Sequence, residues 1–130
     1  MDIFTIKECS RMSFLNIPFP EVVGKLLQAG VERYICDLVG FHVYYFGIDD
    51  QSYTIDFTLK NHPKVASNFT AKIITDSVIK IQQGQIGYEE FLHRIMIGGC
   101  SHYEAFLCGK KVIYFGRLGD NHIEYFPKQH

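Results

Sequence analysis

Apolar positions along this chain recur at two spacings, one suited to packed helices and one to strands. Val22, Val23, Leu26 and Leu27 fall at i, i+1, i+4 and i+5 before Gly30, the stripe of a helix that buries one side and then stops. Phe91, Leu92, Ile95 and Met96 repeat it before Gly98-Gly99. Ile3–Met12 predicts a shorter helix with Phe4, Cys9 and Met12 inward, broken at Asn16-Ile17-Pro18. Pro20 then suits a first helical position, where its missing N–H costs nothing. Ser67 or Asn68 is placed to cap a further helix through Gln83, whose Phe69, Ile73, Ser77/Val78 and Ile81 keep the period.

The other spacing is two. Val31–Val39, His42–Ile48 and Ser52–Thr58 read as a three-strand meander, the third with Tyr53, Ile55 and Phe57 on one face. Leu59–Ala66, with His62-Pro63, reads as a crossover, and Gly84–Gly87 as a turn. A second meander runs to Phe126 and a polar tail follows.

The halves share more than an outline. Tyr34, Leu38, Gly40, Val43, Tyr45, Phe46 and Gly47 return 69 positions later as Tyr103, Leu107, Gly109, Val112, Tyr114, Phe115 and Gly116. Phe19–Phe57 against Tyr88–Phe126 gives ten identities in 39 positions, where unrelated stretches give roughly two. A fixed-period self-match sets architecture. The expectation is an α+β fold, an internal duplication of helix–helix–strand–strand–strand. Its antiparallel sheet carries four helices on one face about a pseudo-two-fold axis. Residues 1–130 form one domain, with repeats at about 1–58 and 67–126. A two-residue turn at Gly40-Phe41 pairs Tyr34 with Gly47 and, in the second copy, Tyr103 with Gly116, each ring covering a glycine.

Composition narrows the function classes. A formal net charge of −1 gives no pull toward nucleic acid or an anionic membrane surface. Asp2, Lys7, Glu8 and Arg11 interrupt the N-terminus, no run reaches a membrane span, and the chain reads as soluble and cytoplasmic. Four cysteines without a CxxC pair read as reduced thiols packed as small apolar groups.

Gly30-Val31 through Tyr34, then His42, Tyr45-Phe46-Gly47 and a helix ending near Gln83-Gly84, resemble the YbcV-like family of small bacterial proteins. Those proteins are often labelled phage envelope protein. The resemblance covers most of the chain from about Pro20 onward. It implies no activity and carries over no functional residue, and this anchorless sequence gives the envelope label no membrane reading.

Chemistry-bearing patterns are sparse. Phosphate-binding glycine motifs and the GxSxG elbow are absent. Cys100 and His102, at i and i+2, share a strand face but lack the four ligands of a structural zinc site. Cys36 with His42, or Cys108 with a distant histidine, makes a poor nucleophile pair, since Cys36 points to the core. Lys110–Gly116 mixes bases and aromatics without an RNA-binding signature, and Asp49-Asp50 and Asp120-Asn121 read as turn formers. No cofactor or metal is expected.

The halves differ most on the outer face of the second meander. If its last hairpin pairs residues summing to 239, two cross-strand rows form: His102–Arg117–His122 and Glu104–Phe115–Glu124. Their first-half equivalents, Arg33–Ile48–Ser52 and Ile35–Phe46–Thr54, are far less titratable. Two readings follow. The favoured one is a non-enzymatic interaction module that binds a protein partner or itself as a dimer, since Tyr44 and Phe46 put apolar surface opposite the core. The alternative is a small-molecule (anion) binder or enzyme using His102, Glu104, Phe115, Arg117, His122 and Glu124 as a shelf.

Overall fold

Helical stripes and strand alternations resolve into four helices and six strands. The computed structural model describes residues 1–127. They form α1 (Ile3–Phe14), α2 (Phe19–Gln28), β1 (Val31–Asp37), β2 (His42–Gly47), β3 (Ser52–Asp56), α3 (Ala71–Gln82), α4 (Tyr88–Ile97), β4 (Cys100–Phe106), β5 (Lys111–Gly116) and β6 (Asn121–Tyr125). The polar tail expected after Phe126 lies, from position 128 on, outside the described residues. Among them, no helix is long and apolar enough to cross a membrane.

Helix ends show why these segments start where they do. Asp2 opens α1, its Oδ1 accepting from the Thr5 N–H at 3.2 Å. Ile6 and Cys9 are its buried positions, and Phe4, expected inward, is 75% exposed. Phe4 lies about 200° of helical rotation from Ile6, so one stripe cannot hold both. Pro20 sits in the first turn of α2. The third helix starts later than expected, after Thr70, and neither Ser67 nor Asn68 caps it. Their segment is held on the end of α4 instead, with Ala66 N–H donating to Met96 O at 3.0 Å and Thr70 N–H to Gly98 O at 2.8 Å.

The sheet is antiparallel throughout, in the order β3-β2-β1-β4-β5-β6. β1 and β4 form the central seam. On one face α2 packs on β1, α4 on β4, α1 on β3 and α3 on β6. α4, β4, β5 and β6 each begin and end 69 positions after α2, β1, β2 and β3.

Register departs from the expected hairpins by two residues. Tyr34 faces Tyr45, not Gly47, and Tyr103 faces Tyr114, not Gly116. The turns are four residues long because Leu38 and Leu107 bond outward rather than within their hairpins. Leu38 N–H donates to Ser101 O and Leu107 N–H to Glu32 O, each at 2.9 Å. A two-residue slip preserves side-chain parity, so Tyr34, Cys36, Val43, Tyr45 and Gly47 still share the buried face. The glycines serve other neighbours. A Cβ on Gly47 would meet Met1 Cγ at 2.5 Å, and one on Gly116 would meet Phe69 Cδ1 at 2.8 Å.

An irregularity between Val31 and Arg33 recurs between Cys100 and His102. The extra residue turns a strand's next side chain to the other face. Cys100 is consequently fully buried while His102 lies on the opposite face, correcting the expectation that the two share one. The core combines these strand residues with Ile6, Leu26, Ile74, Leu92 and Ile95 from the four helices.

Candidate functional site

With the helices on one side, the alternate strand positions make a second sheet face that is absent from the buried core. Cross-strand pairing arranges it in three rows. The first is Asp56–His42–Asp37–His102–Phe115–Asn121, the second Thr54–Tyr44–Ile35–Glu104–Ile113–Ile123, and the third Ser52–Phe46–Arg33–Phe106–Lys111–Tyr125. Eight of these eighteen side chains are large and apolar or aromatic. Tyr125 is 69% exposed and Ile123 38%; Ile35, Tyr44, Phe46, Phe106, Ile113 and Phe115 are half-buried by their neighbours in the sheet.

Charges on this face are held in place. Arg33 donates from Nη1 to Glu104 Oε2 at 2.9 Å across the central seam, and its guanidinium lies 4.0 Å from the Phe46 ring centre. That combines an ion pair with a cation–π contact at a partly desolvated position. His102 stacks on Phe115 at 4.8 Å and 9°, its Nδ1 2.9 Å from Ser101 Oγ. His42 Nδ1 lies 2.6 Å from Asp56 Oδ1. An ion pair, hydrogen bonds and stacking hold these side chains in place.

The six residues of the expected shelf do not share a surface. His102, Glu104 and Phe115 lie together on the open face. β5 and β6 pair with residues summing to 236, so His122 faces Tyr114 and Glu124 faces Val112 on the helix side. There His122 Nε2 is 3.1 Å from Thr75 Oγ1 of α3 and 2.8 Å from Glu124 Oε1. Arg117 lies past the end of β5, and its Nε and Nη2 donate to Val65 O at 3.3 Å, tying the crossover to the sheet. The assumed sum was odd and the actual one even, which reverses the face of every β6 side chain. The repeat itself held the signal, since at the offset of 69 His122 and Glu124 correspond to the core-side Tyr53 and Ile55, not to the Ser52 and Thr54 of the expected rows.

Among the described residues, no group of three His, Cys, Asp or Glu side chains is disposed to hold a metal ion. A groove of about 370 Å³ opens beside α1 and β3, lined in part by Lys7, Arg11, Phe14, Phe57 and Glu89. Its Arg11 is already paired with Glu8 at 2.7 Å. The buried side holds a dense set of phenols and thiols. Tyr88 and Tyr103 hydroxyls lie 2.6 Å apart. Burial pushes Tyr34, Tyr88 and Tyr103 well above the usual phenol range and raises the Cys36 and Cys100 thiols to about 12. Thiols so shifted are protonated and poor nucleophiles near neutrality.

No curated protein matches the chain. Residues 15–124 match a family described only as protein of unknown function (DUF1398), and the chain belongs to that family.

Proposed function

We propose that this chain is a non-enzymatic interaction module whose open sheet face docks a protein surface. The observation that carries the reading is the set of eight aromatic and aliphatic side chains that five of the six strands, all but β3, present on the side away from the helices. Apolar side chains on either side of the central Arg33–Glu104 ion pair, edged by Asp56, Asn121 and Ser52, give a docking surface both buried area and fixed charge to meet. We also read the two halves as copies of one ancestral unit, on the constant offset of 69, and keep the YbcV-like resemblance on its aromatic, glycine-punctuated strands.

A photo-crosslinking residue in place of Tyr44 or Ile113, in cells that naturally make the protein, tests the docking. Adducts are expected from these positions and not from Leu118 or Ile79, which are exposed elsewhere. Identical silence from all four positions would overturn the reading.

A further inference from the structure

We infer that the surface docked on the open face is a second copy of this chain, related by a two-fold axis parallel to the strands along the β1–β4 seam. The inference rests on the docking reading above and adds the partner and its orientation.

Area is the first argument. Six strands about 4.8 Å apart and about 20 Å long make a footprint of roughly 500–600 Å² before side-chain relief is counted. A standard interface takes about 800 Å² of accessible surface per partner. The sheet face is thus of the size one stable dimer needs, and stacked sheets at about 10 Å let both sets of side chains interdigitate.

Charge selects the axis. A two-fold parallel to the strands lays β1 over the second copy's β4 and β2 over its β5, row upon row. Asp37 then meets the second copy's His102, Ile35 its Glu104, Arg33 its Phe106 and Tyr44 its Ile113; these rows follow from the register. Phe46 meets Lys111, a second cation over a ring. No two like charges fall on directly opposed positions, although Arg33 and the second copy's Lys111 both border Phe46. An axis across the strands would pair Asp37 with the second copy's Arg33 but set Glu104 against the second copy's Glu104 at the centre of the interface, and opposed like charges destabilise. A two-fold contact is self-complementary by construction, and only the first of the two orientations keeps directly opposed positions free of like charges.

Sedimentation of the purified chain should return twice its 15.0 kDa mass. Ile113→Glu should return the single-chain mass with an unchanged circular dichroism spectrum, and Lys111→Glu, a milder surface change, should weaken dimerisation at least tenfold. The axis is tested in a Cys108→Ser background with a short bismaleimide. Tyr44→Cys and Ile113→Cys chains should crosslink when mixed and not when either is alone. Within one chain the two positions are three strand spacings apart, about 14 Å. Self-crosslinking of Tyr44→Cys alone would overturn the axis. A dimer that survives Ile113→Glu and Lys111→Glu would overturn the interface. A 15.0 kDa species at all concentrations, with cellular adducts from Tyr44 retained, would remove the second copy and leave the docking of another protein standing.

Discussion

Gly30 and Gly99 occupy matched positions just after α2 and α4, with φ of 88° and 89°. Both terminate a helix in the left-handed conformation that a side chain resists. Their surroundings differ. Around Gly30 an added Cβ finds only the Met1 Cα, at 3.8 Å, whereas at Gly99 it would strike the Asn68 carbonyl oxygen and lie 2.9 Å from Phe69 Cα. Gly30→Ala should therefore cost about 1–2 kcal/mol for the backbone alone. Gly99→Ala should cost a further ~1–3 kcal/mol of overpacking, because backbone cannot rotate out of the way. Equal losses in urea denaturation of the two variants would show that the crossover moves aside without cost. Gly116 makes the same point from the other side, since its missing side chain is the space that Phe69 fills. Phe69→Ala should cost about 1–3 kcal/mol, below the usual cost for a fully buried phenylalanine because the ring is only half-buried.

Elements were legible wherever one period dominated. The stripes of α2 and α4 and the alternation of all six strands identify their segments, and the 69-residue offset supplies their order. What failed was decided by contacts between segments distant in sequence. Turn length in the hairpins depends on Leu38 and Leu107 bonding to a strand of the other half, which no local pattern encodes. The late start of α3 reflects two backbone bonds to the end of α4. Of the six shelf residues, the three on β4 and β5 share one face, but Phe115 pairs with His102 and not with the expected Glu104; the two on β6 lie on the other face because of one turn. Arg117, expected among the shelf residues, braces Val65. The start of α4 offers a further case. Gly87 supplies no capping side chain, and Asn16, 72 positions earlier, accepts from the Tyr88 N–H through Oδ1 at 2.9 Å. Asn16 has φ of 64°, which glycine also tolerates, so Asn16→Gly removes the cap without straining the backbone. It should cost about 1 kcal/mol and raise hydrogen exchange at Tyr88. A loss of stability with Tyr88 exchange unchanged would assign Asn16 to the turn alone.

At the scale of the whole molecule, the halves meet through a buried layer of tyrosines and cysteines beneath the seam. Tyr34 lies 5.5 Å from Tyr45 and 6.3 Å from Tyr103, and Tyr103 lies 5.5 Å from Tyr114, ring centre to ring centre. Desolvation is the leading cause of the upward shift at each of these phenols and at Cys36 and Cys100. The consequence for stability has a definite sign. Ordinary thiols and phenols lose their protons near 9.0 and 10.0, and the two buried thiols near 12. Between those values the unfolded chain has released protons that the folded chain still holds, so the unfolded state binds fewer and stability falls as pH rises. Below about pH 9 the full contribution is present; the thiols' share is lost progressively up to about pH 12, and the phenols' share goes on falling above it. Melting temperature should therefore be level from neutral pH to about 9 and drop steeply above it. Five of the eight tyrosines, Tyr34, Tyr45, Tyr88, Tyr103 and Tyr114, should give their 295 nm tyrosinate absorbance only as the far-ultraviolet dichroism collapses. Ionisation of all eight with the dichroism intact would mean that water reaches the seam in the folded protein, and the layer joining the halves would then be a hydrated interface rather than a core.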